Sequence, residues 1–86
     1  MIIPKTKNWS RGQCRKPTEI DTLYGTVCEW SHDETGDTVS IMLYNEGIRR
    51  YDISHNDETI TARNTYNQAK SSVIDTLRQH PRGLND

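Results

Sequence analysis

The chain has no phenylalanine, and isoleucine, leucine and valine together account for only 15 of its 86 residues. A low apolar content is typical of disordered proteins, but these usually also carry a large net charge, whereas the net charge here is −1. We therefore expect one small folded domain, in which tryptophan and tyrosine supply the large side chains of a modest core.

Long apolar runs are also missing. No stretch approaches the roughly 18 consecutive apolar residues of a membrane-spanning helix, and the N-terminus has no apolar leader. These features predict a cytoplasmic protein without a membrane partner. Cys14 and Cys28 are too few for a disulfide framework, and neither belongs to a CxxC pair, so two reduced thiols are expected.

Catalytic signatures are absent from the sequence as well. There is no glycine-rich phosphate loop, no nucleophile elbow and no HExxH sequence. The chain is therefore predicted to be a non-enzyme that needs no cofactor.

Charge is distributed unevenly along the chain. Residues 1–18 carry a net charge of +5, residues 19–62 carry −8 and residues 63–86 carry +2. The first segment also contains two prolines and a glycine and shows little hydrophobic periodicity. This pattern predicts a basic, irregular N-terminal arm over 1–18, a single globular domain over 19–80 and a tail over 81–86.

Turn residues separate three runs of strand-like sequence, which are LYGTVCEW, TVSIMLY and IRRYDI. The segments between them, SHDETGD and NEG, are rich in the residues that turns favour. This order predicts a three- to four-stranded antiparallel meander over about residues 22–60. In the second turn we expect Gly47 to adopt the left-handed backbone conformation within a three-residue loop that begins at Asn45.

From about residue 64 to residue 79 the apolar residues recur at helical spacing. The stripe consists of Tyr66, Ala69, Val73 and Leu77. Asn64 or Thr65 can cap the start of this helix, while Pro81 and Gly83 follow its end. The pattern predicts an α+β fold with one C-terminal amphipathic helix, and the alternative is an SH3-like small β-barrel plus a helix.

The predicted helix can cover only one face of the sheet. Strict alternation along the first strand assigns to that face Tyr24, Thr26, Cys28 and Trp30. The opposite face then holds an apolar patch made of Leu23, Val27, Met42, Tyr44 and Ile48. A patch of this kind is rarely left bare, so we expect it to be covered by the arm with Trp9, by closure into a barrel, or by another chain.

Several short features resemble SH3-like barrels of the Tudor and KOW type. They are Gly25-Thr26-Val27, the Gly36-Asp37 turn, Val39-Ser40-Ile41 and Arg49-Arg50-Tyr51. The resemblance covers about residues 22–60 and implies a small barrel built from short hairpins. For Tudor-type domains it also implies recognition of methylated basic side chains through an aromatic cage. No aromatic residue of this chain aligns with a cage position, so no binding residue is transferred.

Tyrosine and arginine on the less-covered face favour a protein partner, because both are enriched in protein interfaces. Tyr44 and Arg50 are the principal candidates, and Arg49, Met42 and Ile48 extend the set. The sequence therefore predicts a small binding module that docks on or occludes a protein, and a homodimer is compatible with it. Accessory or inhibitor proteins of phages and plasmids are one class of small binders of this kind.

The basic arm supports a second hypothesis, a nucleic-acid-binding module. Its cations can neutralise phosphates and its tryptophan can stack on a base. The residues are Lys5, Lys7, Trp9, Arg11, Arg15 and Lys16. The predicted helix carries no basic stripe, which favours the protein partner.

Two similar segments, SHDET and SHNDET, support a third hypothesis. Both are expected at the same end of the sheet, where imidazoles and carboxylates could bind a divalent metal ion in a small metal-dependent enzyme. The candidate ligands are His32, His55, Asp33 and Asp57. The same strings are also good turn formers, because short polar side chains bond the local backbone, and this interpretation is favoured.

Overall fold

The computed structural model describes residues 8–16 and 24–84, which form one antiparallel sheet and one helix. In chain order the elements are β1 (Trp9–Arg11), β2 (Tyr24–His32), β3 (Thr38–Glu46), β4 (Ile48–His55), β5 (Glu58–Arg63) and α1 (Tyr66–Gln79). Each strand pairs with the next, so β1 and β5 form the edges of an open sheet. The α+β class is confirmed, but the described residues form five strands, and their sheet does not close into the alternative small barrel.

The two edge strands account for the difference in strand number. β1 lies within the segment expected to be irregular, and it pairs with β2 so that Trp9 lies opposite His32. β5 follows a two-residue turn in which Asn56 and Asp57 have φ values of 51° and 70°. Its one large apolar residue, Ile60, is exposed, so the core provides little sequence signal for this strand.

A β-bulge in β2 changes which residues share a face. Thr26 pairs with Met42 of β3 and Cys28 pairs with the next residue, Ile41, so Val27 is an extra residue in β2. Both Val27 and Cys28 are consequently buried. The predicted grouping of Tyr24 and Thr26 with Cys28 and Trp30 is wrong, because the bulge shifts the alternation by one residue.

The helix covers one face of the sheet, which we call the inner face. We call the opposite face the outer face. α1 buries Ala69, Val73 and Leu77, as the predicted stripe requires, and full burial of a leucine stabilises by about 2 kcal/mol. Thr65 caps the helix by accepting a hydrogen bond from the Gln68 N–H (3.2 Å). Among the described residues no helix has the length and apolarity needed to span a membrane.

Trp9 belongs to the same core as the helix. It is 6% exposed and clusters with residues from three other strands and α1. The remaining buried apolar residues of the cluster are Val27, Cys28, Trp30, Val39, Ile41, Leu43, Tyr51, Ile53, Ala69, Val73 and Leu77. The arm therefore does not cover the outer face with Trp9, and the compact unit begins before residue 19.

Residues 80–84, which follow α1, are fixed against the sheet by hydrogen bonds. We call this arrangement the C-terminal clamp. The Trp9 indole N–H donates to the His80 carbonyl (2.8 Å), and His32 Nε2 donates to the Pro81 carbonyl (2.9 Å). Asp37 accepts a hydrogen bond from the Leu84 N–H (2.9 Å). Residues 80–84 are thus part of the folded domain.

Gly83 permits the close approach on which the clamp depends. Its φ is +105°, and a Cβ there would lie 2.6 Å from Asp37 Oδ2. We expect Gly83→Ala to lower the free energy of unfolding by about 2–3 kcal/mol, through backbone strain and this clash. Urea unfolding measures the change.

Gly47→Ala is the matched control. Gly47 has the expected left-handed conformation (φ +76°), but nothing lies within 4 Å of the position that an added methyl group would occupy at the hairpin tip. Only backbone strain applies, so the expected loss is about 1 kcal/mol. Equal losses in the two variants would contradict a specific role for Gly83.

Candidate functional site

Three strands align Tyr24, Tyr44 and Arg50 in one row across the outer face. Tyr24 of β2 lies opposite Tyr44 of β3, which lies opposite Arg50 of β4. The tyrosine rings meet edge to face with centroids 5.8 Å apart. The Arg50 guanidinium carbon lies 4.2 Å from the centroid of the Tyr44 ring, in a cation–π contact. With Asp52, these residues form what we call the tyrosine–arginine cluster.

Asp52 fixes two members of this cluster. It is 3% exposed, and a carboxylate in that position needs hydrogen bonds or an opposite charge. Arg50 Nε donates to its Oδ1 (2.8 Å) and the Tyr24 hydroxyl donates to its Oδ2 (3.1 Å). The Tyr44 hydroxyl is held separately by Glu46 (2.6 Å). Each polar group of the cluster therefore has a defined orientation.

These contacts also fix the protonation states. Burial, followed by the hydrogen bond to Asp52, raises the pKa of Tyr24. The hydrogen bond to Glu46 raises the pKa of Tyr44, and the one to Asp52 raises the pKa of Arg50. Since the ordinary pKa of tyrosine is about 10, both phenols stay protonated and Arg50 stays charged at neutral pH.

The accessible part of the outer face lies towards the β3–β4 hairpin tip. Tyr24 is 39% exposed and the Arg50 side chain 47%. Ile48, at the tip and on the same face, is 78% exposed. Farther along β3 and β4, the small outer-face residues Ser40 and Ser54 are buried. The cluster and Ile48 therefore form the exposed end of this face.

The residues predicted to contact a partner divide between the two faces. Four of them share the outer face, as their positions in the strand register show, namely Tyr44, Arg50, Met42 and Ile48. Arg49 pairs with an inner-face position of β3 and is exposed there. Their role in binding stays a prediction.

The described residues of the outer face do not form the expected apolar patch. The bulge directs Val27 into the core, where it is 1% exposed. Met42 and Tyr44 are half-buried, and Ile48 lies exposed at the hairpin tip. Leu23 lies outside the described residues. In place of an apolar patch, this face carries an aromatic and charged surface.

The basic arm is only partly available for nucleic acid. Trp9 is buried, and its indole N–H donates to a carbonyl of the C-terminal clamp, so it cannot stack on a base. Arg11 and Lys16 are exposed. Arg15 is exposed too, and its guanidinium donates to the Thr26 carbonyl (2.9 Å). Lys5 and Lys7 lie outside the described residues.

His32, the first of the metal candidates, uses both ring nitrogens within the protein. Nδ1 accepts hydrogen bonds from the N–H groups of Glu34 and Thr35 (3.1 Å each). Nε2 therefore carries the proton, which it donates to the Pro81 carbonyl (2.9 Å). Because neither nitrogen has a lone pair free for a metal, the role of His32 is to shape the turn after β2.

The other metal candidates do not complete a site. Asp33 accepts a hydrogen bond from the Ser10 hydroxyl (2.6 Å), and Asp57 is exposed in its turn. His55 is half-buried, and burial followed by the nearby His80 lowers its pKa. Within residues 8–16 and 24–84, no three His, Cys, Asp or Glu side chains are arranged to hold a metal ion.

Cys14 and Cys28 form a disulfide, so the expectation of two reduced thiols is wrong. The segment after β1 runs along the edge of β2. There the Gly12 N–H donates to the Glu29 carbonyl and the Arg15 N–H donates to the Val27 carbonyl (2.7 Å each). This pairing brings the cysteines together, although they are 14 residues apart in sequence. Closing a loop of this size stabilises the folded state by about 3 kcal/mol in the chain-entropy model.

The turn between β2 and β3 is organised by Asp37. Its carboxylate accepts from the Leu84 N–H (2.9 Å), the Thr35 hydroxyl (2.8 Å) and the Asn56 side-chain amide (3.1 Å). These hydrogen bonds, that of Leu84 foremost, lower the pKa of Asp37. Asp37 thus joins two turns and the C-terminal clamp, and its role is structural.

Comparisons with protein families, curated proteins and solved structures found no match. The Tudor and KOW resemblance therefore stays a prediction.

The lowered pKa of Asp37 predicts a stability change in acid. Because the folded-state pKa lies below the ordinary value, the ionised carboxylate stabilises the fold at higher pH. This contribution is lost as the pH falls from about 4 through the folded-state pKa. We expect Asp37→Asn to lower the urea midpoint at pH 7, and the difference from wild type to shrink as the pH falls towards 2.

Asp33→Asn is the control for this experiment. Asp33 lies in the same turn but is exposed, and its carboxylate accepts a single described hydrogen bond, from Ser10. Its replacement should leave the urea midpoint and the acid dependence close to wild type. An Asp37→Asn variant with the full wild-type loss of stability in acid would contradict the assigned role.

Proposed function

We propose that this protein is a small non-enzymatic binding module that docks on a protein partner through the exposed end of its outer face. The observation that carries the proposal is the tyrosine–arginine cluster, in which Tyr24, Tyr44 and Arg50 are partly exposed and held by hydrogen bonds. Tyrosine and arginine are the residue types that most often dominate binding energy in protein interfaces.

Pre-organisation is the physical basis of docking by this surface. An arginine that becomes ordered only on binding loses side-chain entropy, and this opposes association. Here Asp52 holds one edge of the Arg50 guanidinium and the Tyr44 ring covers one of its faces. The cluster can therefore meet a partner with little further ordering, while the neighbouring Ile48 adds exposed apolar area.

The charge around the cluster supports a protein over a nucleic acid. Arg50 is paired with Asp52, and Glu46 and Glu29 lie on the same face. Nucleic acids require an excess of positive charge, which the described residues of this face do not offer. With Trp9 in the core, the arm also loses its stacking residue.

The disulfide bears on where docking takes place. Disulfides persist in oxidising compartments, whereas cytosolic thiols are kept reduced. The Cys14–Cys28 disulfide therefore favours an oxidising compartment over the cytoplasm as the site of action. Docking would occlude the partner surface that the cluster covers, as accessory and inhibitor proteins do.

The proposal is tested by a capture experiment, in which a tagged form of the protein binds its partner from an extract of the native cells. We expect Tyr44→Ala and Arg50→Ala each to weaken binding of the captured partner at least tenfold by calorimetry, as interface hot spots do. Circular dichroism and thermal melting establish that both variants are folded.

Asn67→Ala is the matched control, because Asn67 is exposed on α1, away from the outer face. It should bind as wild type does. If both cluster variants retained wild-type affinity, the docking surface would lie elsewhere on the molecule.

A further inference from the structure

The two sulfur atoms of the Cys14–Cys28 disulfide differ in accessibility. Cys28 lies in β2 and is 1% exposed, within the core. Cys14 lies in the segment that runs along the edge of β2 and is only half-buried. An external thiolate must reach a sulfur along the S–S axis, so accessibility decides which sulfur it attacks. Attack should therefore occur at Cys14, with Cys28 as the leaving group.

A hydrogen-bond donor is already positioned at the leaving sulfur. The hydroxyl of Tyr66, in the first turn of α1, donates to Cys28 Sγ (3.8 Å). A thiolate accepts a hydrogen bond more strongly than a disulfide sulfur does, so the contact gains strength as the S–S bond breaks. A donor that stabilises the departing thiolate favours cleavage of the S–S bond with Cys28 as the leaving group.

We propose that Cys14–Cys28 is a redox-exchange site whose substrate is the dithiol of a two-cysteine reductant. One thiolate of the reductant attacks Cys14 Sγ, which forms a mixed disulfide and releases Cys28 as a thiolate beside Tyr66. The second thiolate of the reductant then attacks the reductant's first sulfur, which is bonded to Cys14 in the mixed disulfide. This attack releases Cys14 as a thiolate. The reductant is oxidised to a disulfide by two electrons, and both cysteines finally take up protons from solvent.

Reduction changes how the edge of β2 is held. In the oxidised protein the segment from Gly12 to Lys16 is fixed by the disulfide, by two backbone hydrogen bonds and by the Arg15 contact with Thr26. After reduction the segment loses its covalent link to β2, and a short segment held at a sheet edge by a few hydrogen bonds opens locally at low free energy. The redox state of the surroundings therefore determines how firmly the segment from Gly12 to Lys16 is held along the edge of β2.

The direction of attack is tested on wild-type protein under native conditions. The oxidised protein is treated briefly with glutathione and quenched with N-ethylmaleimide, and its peptides are mapped by mass spectrometry. We expect glutathione on Cys14 and N-ethylmaleimide on Cys28. Glutathione mainly on Cys28, or no reduction until the protein is globally unfolded, would overturn the proposal.

The role of Tyr66 is tested by the rate of reduction with dithiothreitol. Tyr66→Phe keeps the ring and removes the donor, and we expect reduction to slow about tenfold, the usual effect of a hydrogen bond to a charged group. Tyr51→Phe is the control, since its ring lies 6.0 Å from that of Tyr66 in the same cluster. Equal rates for wild type and Tyr66→Phe would remove Tyr66 from the site.

Hydrogen exchange tests the opening of the edge. The N–H groups of Gly12 and Arg15 both donate to β2. Their exchange should accelerate at least tenfold in the reduced protein, relative to amides of the β3–β4 pairing. Unchanged exchange of both amides would overturn the coupling between redox state and the sheet edge.

Discussion

One extra residue in β2 determines which side chains each face of the sheet presents. Because Val27 is inserted between the Thr26–Met42 and Cys28–Ile41 pairs, the two halves of the strand alternate out of phase. The second half directs its large residues into the core, while the first directs Tyr24 towards Tyr44 on the outer face. The tyrosine–arginine cluster, the burial of Cys28 and the packing of the helix all depend on this change of phase.

The bulge also separates the apolar core from the tyrosine–arginine cluster. The inner face holds the apolar core under α1, and the C-terminal clamp closes one end of that core through Trp9, His32 and Asp37. The outer face has small buried polar residues near the start of β3 and the end of β4, and the cluster lies towards the β3–β4 hairpin tip. In a domain this small, a disulfide adds stability that the limited core does not supply. Because the core and the disulfide supply stability, the exposed residues of the outer face are not needed for it.

The sequence predicted the three central strands, the left-handed Gly47 and the helix with its buried stripe, because each has a strong local pattern. It did not predict the bulge, since both phases of alternation in β2 contain apolar residues. β5 was missed because Ile60, its one large apolar residue, is exposed. The disulfide and the row formed by Tyr24 and Arg50 arise from strand register, which local patterns do not specify.

The bulge can be measured directly from the register of β2 against β3 in the oxidised protein. In isotopically labelled protein, cross-strand nuclear Overhauser effects report which backbone protons lie opposite one another. We expect contacts of Thr26 with Met42 and of Cys28 with Ile41. Contacts of Val27 with Ile41 and of Cys28 with Ser40 would show a regular strand, and would contradict the assignment of residues to the two faces.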